Sequence, residues 1–382
     1  MPRPAFAFSR GVRTFPAMEV KLLDLQEQYL PIRNEIRRAI DEVCDSQALI
    51  LGPHVEKFEK RLAEYCQTKH AIGVSSGTDA LLCALMGIGI KPGDEVICPS
   101  FTFFATAGSI ARLGARPVFA EIDPRTFNLD PNRIEEKITP RTRAILPVHL
   151  FGQLADTEAI NRIAQKHGLM VIEDAAQAIG AKRSGKPACG HGFAGCLSFY
   201  PTKNLGAFGD AGAICTNDDE FAHACRLLRV HGSGHQYHHK MIGGMFRMAA
   251  IQAAVLDVKL KYLEQWHEGR RRNARLYDKL LGNKVIAPKI DPENWSIYNQ
   301  YIVRVPDRDN VRQKLAGRGV GTAVYYPIPL HLQECFAYLG GKEGDLPETE
   351  RACREVLALP IYPELTDEQV RYVAKEVLAC AS

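Results

Sequence analysis

One lysine in a run of small and apolar residues is the clearest sign of chemistry in this sequence. Lys203 lies within GCLSFYPTKNLGAFGDAGAI, residues 195–214. An ammonium group removed from water loses its proton more readily, and the free amine can attack an aldehyde carbon to form a Schiff base. Ser198 could donate its hydroxyl group to a phosphate on the ligand that carries the aldehyde. The glycines after the lysine would let a planar ring of that ligand approach the backbone. The stretch predicts a lysine that holds an aldehyde.

A second candidate is the pair of acids that ends the apolar run LMVIED. Asp174 has two interpretations here: it can cap the helix that follows, or it can pair with a protonated pyridine nitrogen and keep that ring electron-withdrawing. Gln177 lies about one helical turn further on, where it could approach the oxygen or the face of the same ring.

A third candidate is the segment VSSGTDALL, in which a strand leads through glycine into a helix. Gly77 would let a ligand approach the backbone, and the free N–H groups of a first helical turn favour an anion such as phosphate. The alternative is an ordinary helix start, with Ser76 or Thr78 as the N-cap. The motif alone does not separate the two.

The elements that must position these residues alternate between strand and helix from residue 71 onward. This alternation predicts a mainly parallel sheet covered by helices on both faces, in which the ligand site lies beyond the carboxyl ends of the strands. The predicted strands of this region are HAIGVSS, DEVICPS, ARPVFAEI, RAILPVHL and LMVIED.

Three parts of the chain are expected. Residues 1–17 carry three arginines and no acid, and we interpret them as a flexible extension. Residues 18–262 are expected to form the large ligand-binding domain. This domain ends within a long helical region that runs from about residue 248 to residue 281. Residues 263–382 read as a smaller α+β domain, with strands at NQYIVRV and GTAVYY and helices near RDNVRQKLAGRG and TDEQVRYVAKEVLA.

Composition excludes several classes of protein. The 382 residues are 46% hydrophobic and 24% charged with a net charge of +4, and the basic residues are scattered, so we expect neither a nucleic acid nor a membrane as partner. Eleven cysteines without a C-x-x-C pair indicate free thiols in a reducing cytoplasm. Four histidines between 231 and 239 have no carboxylate or cysteine partner nearby, so we predict a solvated loop and no metal.

Taken together, these motifs resemble a known family. The chain from about residue 20 to its end is similar to the sugar aminotransferases of the DegT/DnrJ/EryC1/StrS family. The resemblance implies the fold of aspartate aminotransferase (fold type I), pyridoxal 5'-phosphate as cofactor, and a homodimer with shared active sites. The motifs that carry it are SSGTDAL, PSFTFFAT, VIEDAAQAIGA, SFYPTKNLGAFGDAGAI, IQAAVL and YYPIPLH.

The resemblance also implies roles for single residues. Lys203 would hold the cofactor as an internal aldimine and move the proton during transamination. Asp174 would pair with the pyridinium nitrogen, and Gln177 would contact the ring oxygen. The other implied contacts are Gly77, Thr78 and Ser198 with the phosphate, and Phe103 stacked on the ring, for which a plain core aromatic is the alternative.

Substrate contacts are expected on later loops. Tyr326 and His331, in VYYPIPLH, would lie near the sugar by resemblance, and Arg229 is a further candidate. One position departs from the family pattern. Many relatives carry an asparagine that reaches the phosphate of the neighbouring subunit, where this chain has Met245. A thioether cannot donate a hydrogen bond, so that contact is lost or another donor replaces it.

The resemblance implies an aminotransferase that moves an amino group from L-glutamate to a nucleotide-linked keto-sugar, as in the biosynthesis of amino sugars for polysaccharides. Relatives of the dehydratase branch replace the lysine with histidine, so Lys203 argues against that branch. Two alternatives stay open: an amine or amino-acid transaminase with a wider range of small substrates, and a non-catalytic regulator that binds pyridoxal phosphate.

Overall fold

The computed structural model describes residues 18–235, 237–287 and 289–381. The extension predicted for residues 1–17 lies outside this part of the chain. The strands, in chain order, are β1 (His70–Val74), β2 (Glu95–Pro99), β3 (Arg116–Ala120), β4 (Thr142–Ile145), β5 (Met170–Asp174), β6 (Lys182–Arg183), β7 (Lys186–Pro187), β8 (Ala194–Ser198), β9 (Gly212–Thr216), β10 (Ser233–His235), β11 (His238–His239), β12 (Asn294–Trp295), β13 (Tyr301–Arg304) and β14 (Val356–Leu359).

The helices follow the apolar periodicity of the sequence. The α-helices are α1 (Leu25–Tyr29), α2 (Arg33–Ser46), α3 (Pro53–Cys66), α4 (Gly77–Gly87), α5 (Ala105–Arg112), α6 (Thr157–His167), α7 (Asp219–Leu228), α8 (Ala250–Leu260), α9 (Leu263–Leu281), α10 (Arg308–Gly317), α11 (Pro347–Glu355) and α12 (Asp367–Ala381). Several begin at a side-chain cap, as α6 does at Asp156, whose carboxylate accepts the N–H of Ala159 at 3.1 Å.

Seven strands form the central sheet, in the order β1-β9-β8-β5-β4-β2-β3. The pairs β8–β5, β5–β4, β4–β2 and β2–β3 are parallel, whereas β9 runs antiparallel to β1 and β8. Every residue of β2 and β9 is buried, as expected for strands with helices on both faces. The predicted mainly parallel sheet is confirmed.

This topology brings the candidate residues to one edge of the sheet. β1 and β8 both pair antiparallel with β9, so β1 points the same way as the parallel strands. The carboxyl ends of β1, β2, β5 and β8 therefore lie at the same edge. Gly77, Phe103, Asp174 and Ser198 lie at or just beyond these ends.

A second hydrophobic core is built mainly from the last third of the chain. Helices α9, α10 and α12 pack around the antiparallel pair β13–β14, in which Tyr301 faces Leu359. Val20 belongs to this core too, and it forms a parallel bridge with Val320. The predicted long helix breaks between Leu260 and Leu263, where we propose the boundary between the domains 18–262 and 263–382.

One predicted strand is wrong. GTAVYY, residues 321–326, makes an isolated bridge between Ala323 and Ala358 rather than a strand. Pro327 and Pro329 follow directly, and a proline has no N–H with which to extend a ladder. The segment instead turns toward the edge of the central sheet and brings Tyr326 there.

Among the described residues, no helix is long and apolar enough to cross a membrane. The same part of the chain contains no group of three or more histidine, cysteine or acidic side chains that could hold a metal ion.

Candidate active site

Lys203 lies in the loop between β8 and β9, just beyond the carboxyl edge of the sheet. Its backbone N–H donates to the carbonyl of Tyr200 at 2.8 Å, which closes a tight turn. The residue is half-buried. Burial lowers the pKa of Lys203 to about 8, although the charge of Asp174 opposes the shift. A larger fraction of this amine than of an exposed lysine is therefore unprotonated near neutral pH and able to act as a nucleophile.

Asp174 is a buried carboxylate at the end of β5 without a cationic side chain in hydrogen-bond contact among the described residues. The hydroxyl of Thr106 donates to its Oδ2 at 2.8 Å, and the N–H of Ala176 donates to its Oδ1 at 3.2 Å. Burial raises the pKa of Asp174, and the bonds from Thr106 and Ala176 and the charge of Lys203 oppose the rise. The acid caps the following turn, but it also lacks the cation that a buried carboxylate needs.

Glu173, the neighbour of Asp174, is satisfied by the protein itself. It accepts backbone N–H groups of Cys189, His191 and Gly192 at 2.6–2.9 Å, and Nε2 of His149 lies 2.8 Å from its Oε2. Burial alone would raise the pKa of Glu173, but these hydrogen bonds and the interaction with His149 outweigh it and lower the pKa. Successive strand residues face opposite sides of a sheet, which separates the two acids. Glu173 is thus a structural residue.

We expect Glu173→Gln to lower the free energy of unfolding by about 2–3 kcal/mol, because an amide cannot accept this set of N–H groups. The native pKa of Glu173 is depressed, so its stabilisation is present above the usual carboxyl range and disappears as the pH falls through the depressed value. Urea unfolding at several pH values measures both effects. Glu135→Gln, at an exposed ion pair, is the matched control and should leave the midpoint unchanged. Equal midpoints for Glu173→Gln and wild type would contradict the structural role.

The predicted anion site lies where α4 begins. Ser76 is the N-cap, because its hydroxyl accepts the N–H of Asp79 at 3.0 Å. This leaves the first-turn N–H groups of Gly77 and Thr78 without helical acceptors. A Cβ atom at Gly77 would lie 2.6 Å from the Cβ of Ser198, so the helix start and the end of β8 touch only because residue 77 is glycine. Two N–H groups and a hydroxyl next to a helix N-terminus suit a phosphate.

Gln177 joins this edge of the sheet to the segment that follows residue 320. Its Oε1 accepts the N–H of Phe151 at 2.8 Å, and its Nε2 donates to the hydroxyl of Tyr326 at 3.1 Å. The Phe103 ring is 58% exposed, and its centroid lies 6.3 Å from that of Tyr326. Phe103 is therefore not a plain core aromatic. The structure brings Phe103, Gln177 and Tyr326 together.

The predicted substrate role of His331 does not agree with its surroundings. His331 is buried, with Nδ1 2.8 Å from the hydroxyl of Ser100 and Nε2 3.2 Å from Oε1 of Glu350. Both ring nitrogens are therefore engaged within the protein. These contacts tie the segment after Tyr326 to the end of β2, which is a structural task.

Arg229 is likewise used internally. Its Nη1 donates to Oε1 of Glu59 at 2.5 Å and to the carbonyl of Gly73 at 3.0 Å, and the residue is buried. A buried guanidinium is retained in proteins when it is paired in this way. The contact of Arg229 with substrate stays a prediction, and in this structure its Nη1 is occupied by Glu59 and Gly73.

Gly206, one of the glycines after Lys203, has a role in the loop itself. A Cβ at Gly206 would lie 2.2 Å from the carbonyl oxygen of Pro201, so the loop itself needs a glycine there to fold back on itself.

Sequence reasoning missed Thr106 and His149, which support the two acids. Thr106 lies on α5, 68 positions before Asp174, and its hydroxyl also lies 3.0 Å from that of Thr102. His149 accepts the N–H of Ala155 at Nδ1, so its ring proton is on Nε2 and is donated to Glu173. No local pattern reports such contacts, although Thr106 does fall in one of the family motifs.

The mainly parallel sheet thus gathers a lysine of lowered pKa, a buried acid without a cationic contact and a helix start suited to an anion at one edge. The model of the DegT/DnrJ/EryC1/StrS aminotransferase family matches residues 31–378. The chain belongs to this family. The predicted family, fold class and enzyme class are confirmed, and with them the pyridoxal phosphate dependence of the family.

Individual relatives are similar over nearly their whole length. The chain is 52% identical to the pleiotropic regulatory protein of Geobacillus stearothermophilus, over 94% of this chain and 98% of that protein. It is 44% identical to UDP-2-acetamido-2-deoxy-3-oxo-D-glucuronate aminotransferase of Pseudomonas aeruginosa, over 93% and 98% of the two chains.

Solved structures give the same result. The Streptomyces venezuelae DesV structure, a complex with a ketimine intermediate, matches with a TM-score of 0.93 at 43% identity, over 95% of this chain and 99% of that one. The Bacillus subtilis NtdA structure, with bound cofactor PMP, matches with a TM-score of 0.90 at 34% identity, over 97% and 86% of the chains.

Proposed function

We propose that this protein transfers an amino group from L-glutamate to a nucleotide-linked keto-sugar, with Lys203 as the residue that binds pyridoxal phosphate. The observation that carries the proposal is that Lys203 and Asp174 lie at the same edge of the sheet, where Asp174 is buried without a cationic side chain in hydrogen-bond contact and burial lowers the pKa of Lys203 to about 8. The cofactor would supply the missing cation at its ring nitrogen.

The residues present fit the cofactor at each of its polar groups. The first-turn N–H groups of Gly77 and Thr78 and the hydroxyl of Ser198 would bind the phosphate. Asp174 would hold a proton at the ring nitrogen, with Thr106 fixing its Oδ2. Gln177 would lie near the ring oxygen, although its amide is shared with Phe151 and Tyr326.

When bound, the cofactor supplies the electron sink for breaking a C–H bond next to the transferred nitrogen. Lys203 would hold the aldehyde carbon until an amino donor displaces its Nζ. The freed Nζ would then accept and return a proton, a task that its lowered pKa suits near neutral pH. Phe103 would cover one face of the ring and limit its tilt.

The relatives support the proposed substrate class. The Pseudomonas relative is named for a UDP-linked 3-oxo sugar, and we propose a nucleotide-linked keto-sugar here. Tyr326 is the remaining candidate for contact with it, since it lies beside Gln177 and Phe103. We further propose a homodimer with shared active sites. Met245, in the position that would face the second subunit, is 64% exposed.

We also propose a cytoplasmic location. All eleven cysteines are free, and nine of them are buried, which suits a compartment that keeps thiols reduced.

The test is the absorption spectrum of the purified protein with pyridoxal phosphate, before and after L-glutamate. We expect a visible band of lysine-bound cofactor that gives way to the shorter-wavelength band of pyridoxamine phosphate. UDP- and dTDP-linked keto-sugars, added next, should restore the first band. A band that forms but ignores every amino donor would contradict the proposal.

The same experiment addresses the two alternatives. Restoration of the visible band by small keto acids, with no response to nucleotide-linked sugars, would indicate a transaminase of broader scope. The name of the Geobacillus relative favours a regulator as the other candidate. A regulator would bind the cofactor and leave it unchanged by glutamate and by keto-sugars.

A further inference from the structure

Two polar residues of helix α8 reach the loop that carries Lys203. Gln252 and Lys259 are seven positions apart, which is close to two helical turns, so their side chains lie on the same face of the helix. Both contact backbone groups between Gly206 and Phe208, in the loop that joins β8 to β9. They belong to neither the candidate cofactor contacts nor the candidate substrate contacts.

Gln252 binds one residue of the loop at two points. Its Oε1 accepts the N–H of Phe208 at 2.8 Å, and its Nε2 donates to the carbonyl of Phe208 at 3.3 Å. A side-chain amide that binds both the N–H and the carbonyl of a single residue mimics a neighbouring strand. The pair of bonds therefore fixes the position of Phe208 and the orientation of its two peptide groups.

Lys259 binds the loop closer to Lys203. Its Nζ donates to the carbonyl of Gly206 at 2.5 Å and lies 5.9 Å and 5.8 Å from the ring centroids of Phe208 and Trp266. The residue is buried, and among the described residues no carboxylate forms an ion pair with it. Burial lowers its pKa to about 8. Burying an ammonium group costs solvation free energy, so we expect Lys259 to have a specific role in this position.

Packing holds the loop on one side and leaves it open on another. Leu205 and Ala207 are buried in the main core. On the other side, a cavity of about 120 Å³ lies between Pro201 and the N-terminal helices α1 and α2, although the ring of Tyr29 packs edge-on against that of Phe208 at 5.6 Å between centroids. Packing next to the cavity is thus incomplete, and the hydrogen bonds from α8 add support to this part of the loop.

We propose that Gln252 and Lys259 are positioning residues that hold the Lys203 loop and so set the place of the Lys203 amine relative to Asp174. The inference rests on the proposed function, because it gives Lys203 the role of binding the cofactor. A displacement of about 1 Å at a reacting group can reduce a rate by roughly 100-fold, so a helix that fixes this backbone would matter to the chemistry.

The variants that test the proposal are Gln252→Leu and Lys259→Met, which keep the volume and remove the hydrogen bonds. Lys261→Met is the matched control, since Lys261 lies two positions further on and forms an exposed ion pair with Glu35 at 3.1 Å. Each full-length variant is examined by hydrogen exchange with and without pyridoxal phosphate, by the rate of cofactor uptake, and by kcat and KM.

We expect backbone amides between 200 and 209 to exchange at least about 10-fold faster in Gln252→Leu and Lys259→Met, because the bonds that close this loop are missing. Exchange in the β5 and α4 peptides should stay unchanged. Cofactor uptake and kcat should fall by about 10- to 100-fold with little change in the KM for the sugar. Lys261→Met should match wild type in every measurement.

A purely structural role would give another result. Faster exchange throughout the large domain, together with a lower melting temperature and an unchanged kcat of the folded fraction, would overturn the proposal. Unchanged exchange at 200–209 in both variants would overturn it too. Should Lys259→Met fail to fold, Gln252→Leu and Lys259→Arg, which keeps a donor for Gly206, provide the same comparison, with Lys259→Arg expected to lie closer to wild type.

The two proposals can fail separately. Exchange at 200–209 in the cofactor-free protein tests the contacts of α8 whether or not the protein transaminates. Wild-type protein that takes up no pyridoxal phosphate would instead contradict the proposed function.

Discussion

Lys203→Ala is expected to reduce transamination by roughly 10³-fold or more, because the variant has no amine that can hold the cofactor aldehyde or carry the proton. The cofactor, where it binds at all, should show the spectrum of a free aldehyde. Single-turnover absorption measurements with L-glutamate, followed by the keto-sugar, give the rate of each half-reaction. Borohydride reduction followed by peptide mapping should label the wild-type peptide that contains residue 203 and leave the variant unlabelled.

Lys261→Ala is the matched control for this loss, since it removes a lysine from an exposed ion pair. It should react like wild type. Near-normal turnover of Lys203→Ala, or borohydride labelling at another lysine, would show that the cofactor is held elsewhere. Lys259 is the next lysine to consider in that case, because burial lowers its pKa to about 8 as well.

Asp174→Asn is expected to lower kcat by about 10²–10³-fold, because an amide cannot supply the negative charge that keeps a proton on the ring nitrogen. Pyridoxal phosphate should still bind through its phosphate and Lys203. Absorption spectra and kcat for the glutamate half-reaction measure the two effects. Asp174→Glu keeps the charge at an altered distance and should recover part of the rate.

Asp174→Asn, although it lowers activity, is not expected to destabilise the cofactor-free protein at neutral pH. Burial raises the native pKa of Asp174, so its contribution to stability is present below the usual aspartate range and is lost as the pH rises through the raised value. Above that pH the buried negative charge lowers the free energy of unfolding. Cofactor-free Asp174→Asn should therefore melt at the wild-type temperature or higher at pH 7, and the gain should disappear in acid. A melting temperature well below wild type at pH 7 would show that the charge of Asp174 is structural.

The sequence predicts most of the large domain because its signals are local. Continuous apolar runs correspond to β1 to β5, and the residues that follow β1, β5 and β8 meet because parallel strands end at one edge. Asp174 and Ser198 could thus be selected from their places at strand ends. The family resemblance adds the roles of these residues, which strand order alone does not provide.

The missed features depend on distant partners. His331 contacts Ser100 across 231 positions and Arg229 contacts Glu59 across 170, so neither ring nor guanidinium could be assigned to the interior from its neighbours in sequence. A short apolar run such as GTAVYY satisfies a strand pattern, and the prolines that follow it decide otherwise. The approach of Gly206 to the carbonyl group of Pro201 is likewise invisible in the glycine spacing after Lys203.

The bridge between Val20 and Val320 has a consequence for how the chain acquires its structure during synthesis. Val20 donates to and accepts from the backbone on either side of Val320, at 2.8 Å in both bonds. A ribosome that adds about 5–20 residues per second would make the second of these valines roughly 15–60 s after the first. The residues around Val20 must wait that long for their partners. The second core can therefore be completed only late in translation. Its contacts with Val20 come from the part of the protein that left the ribosome first.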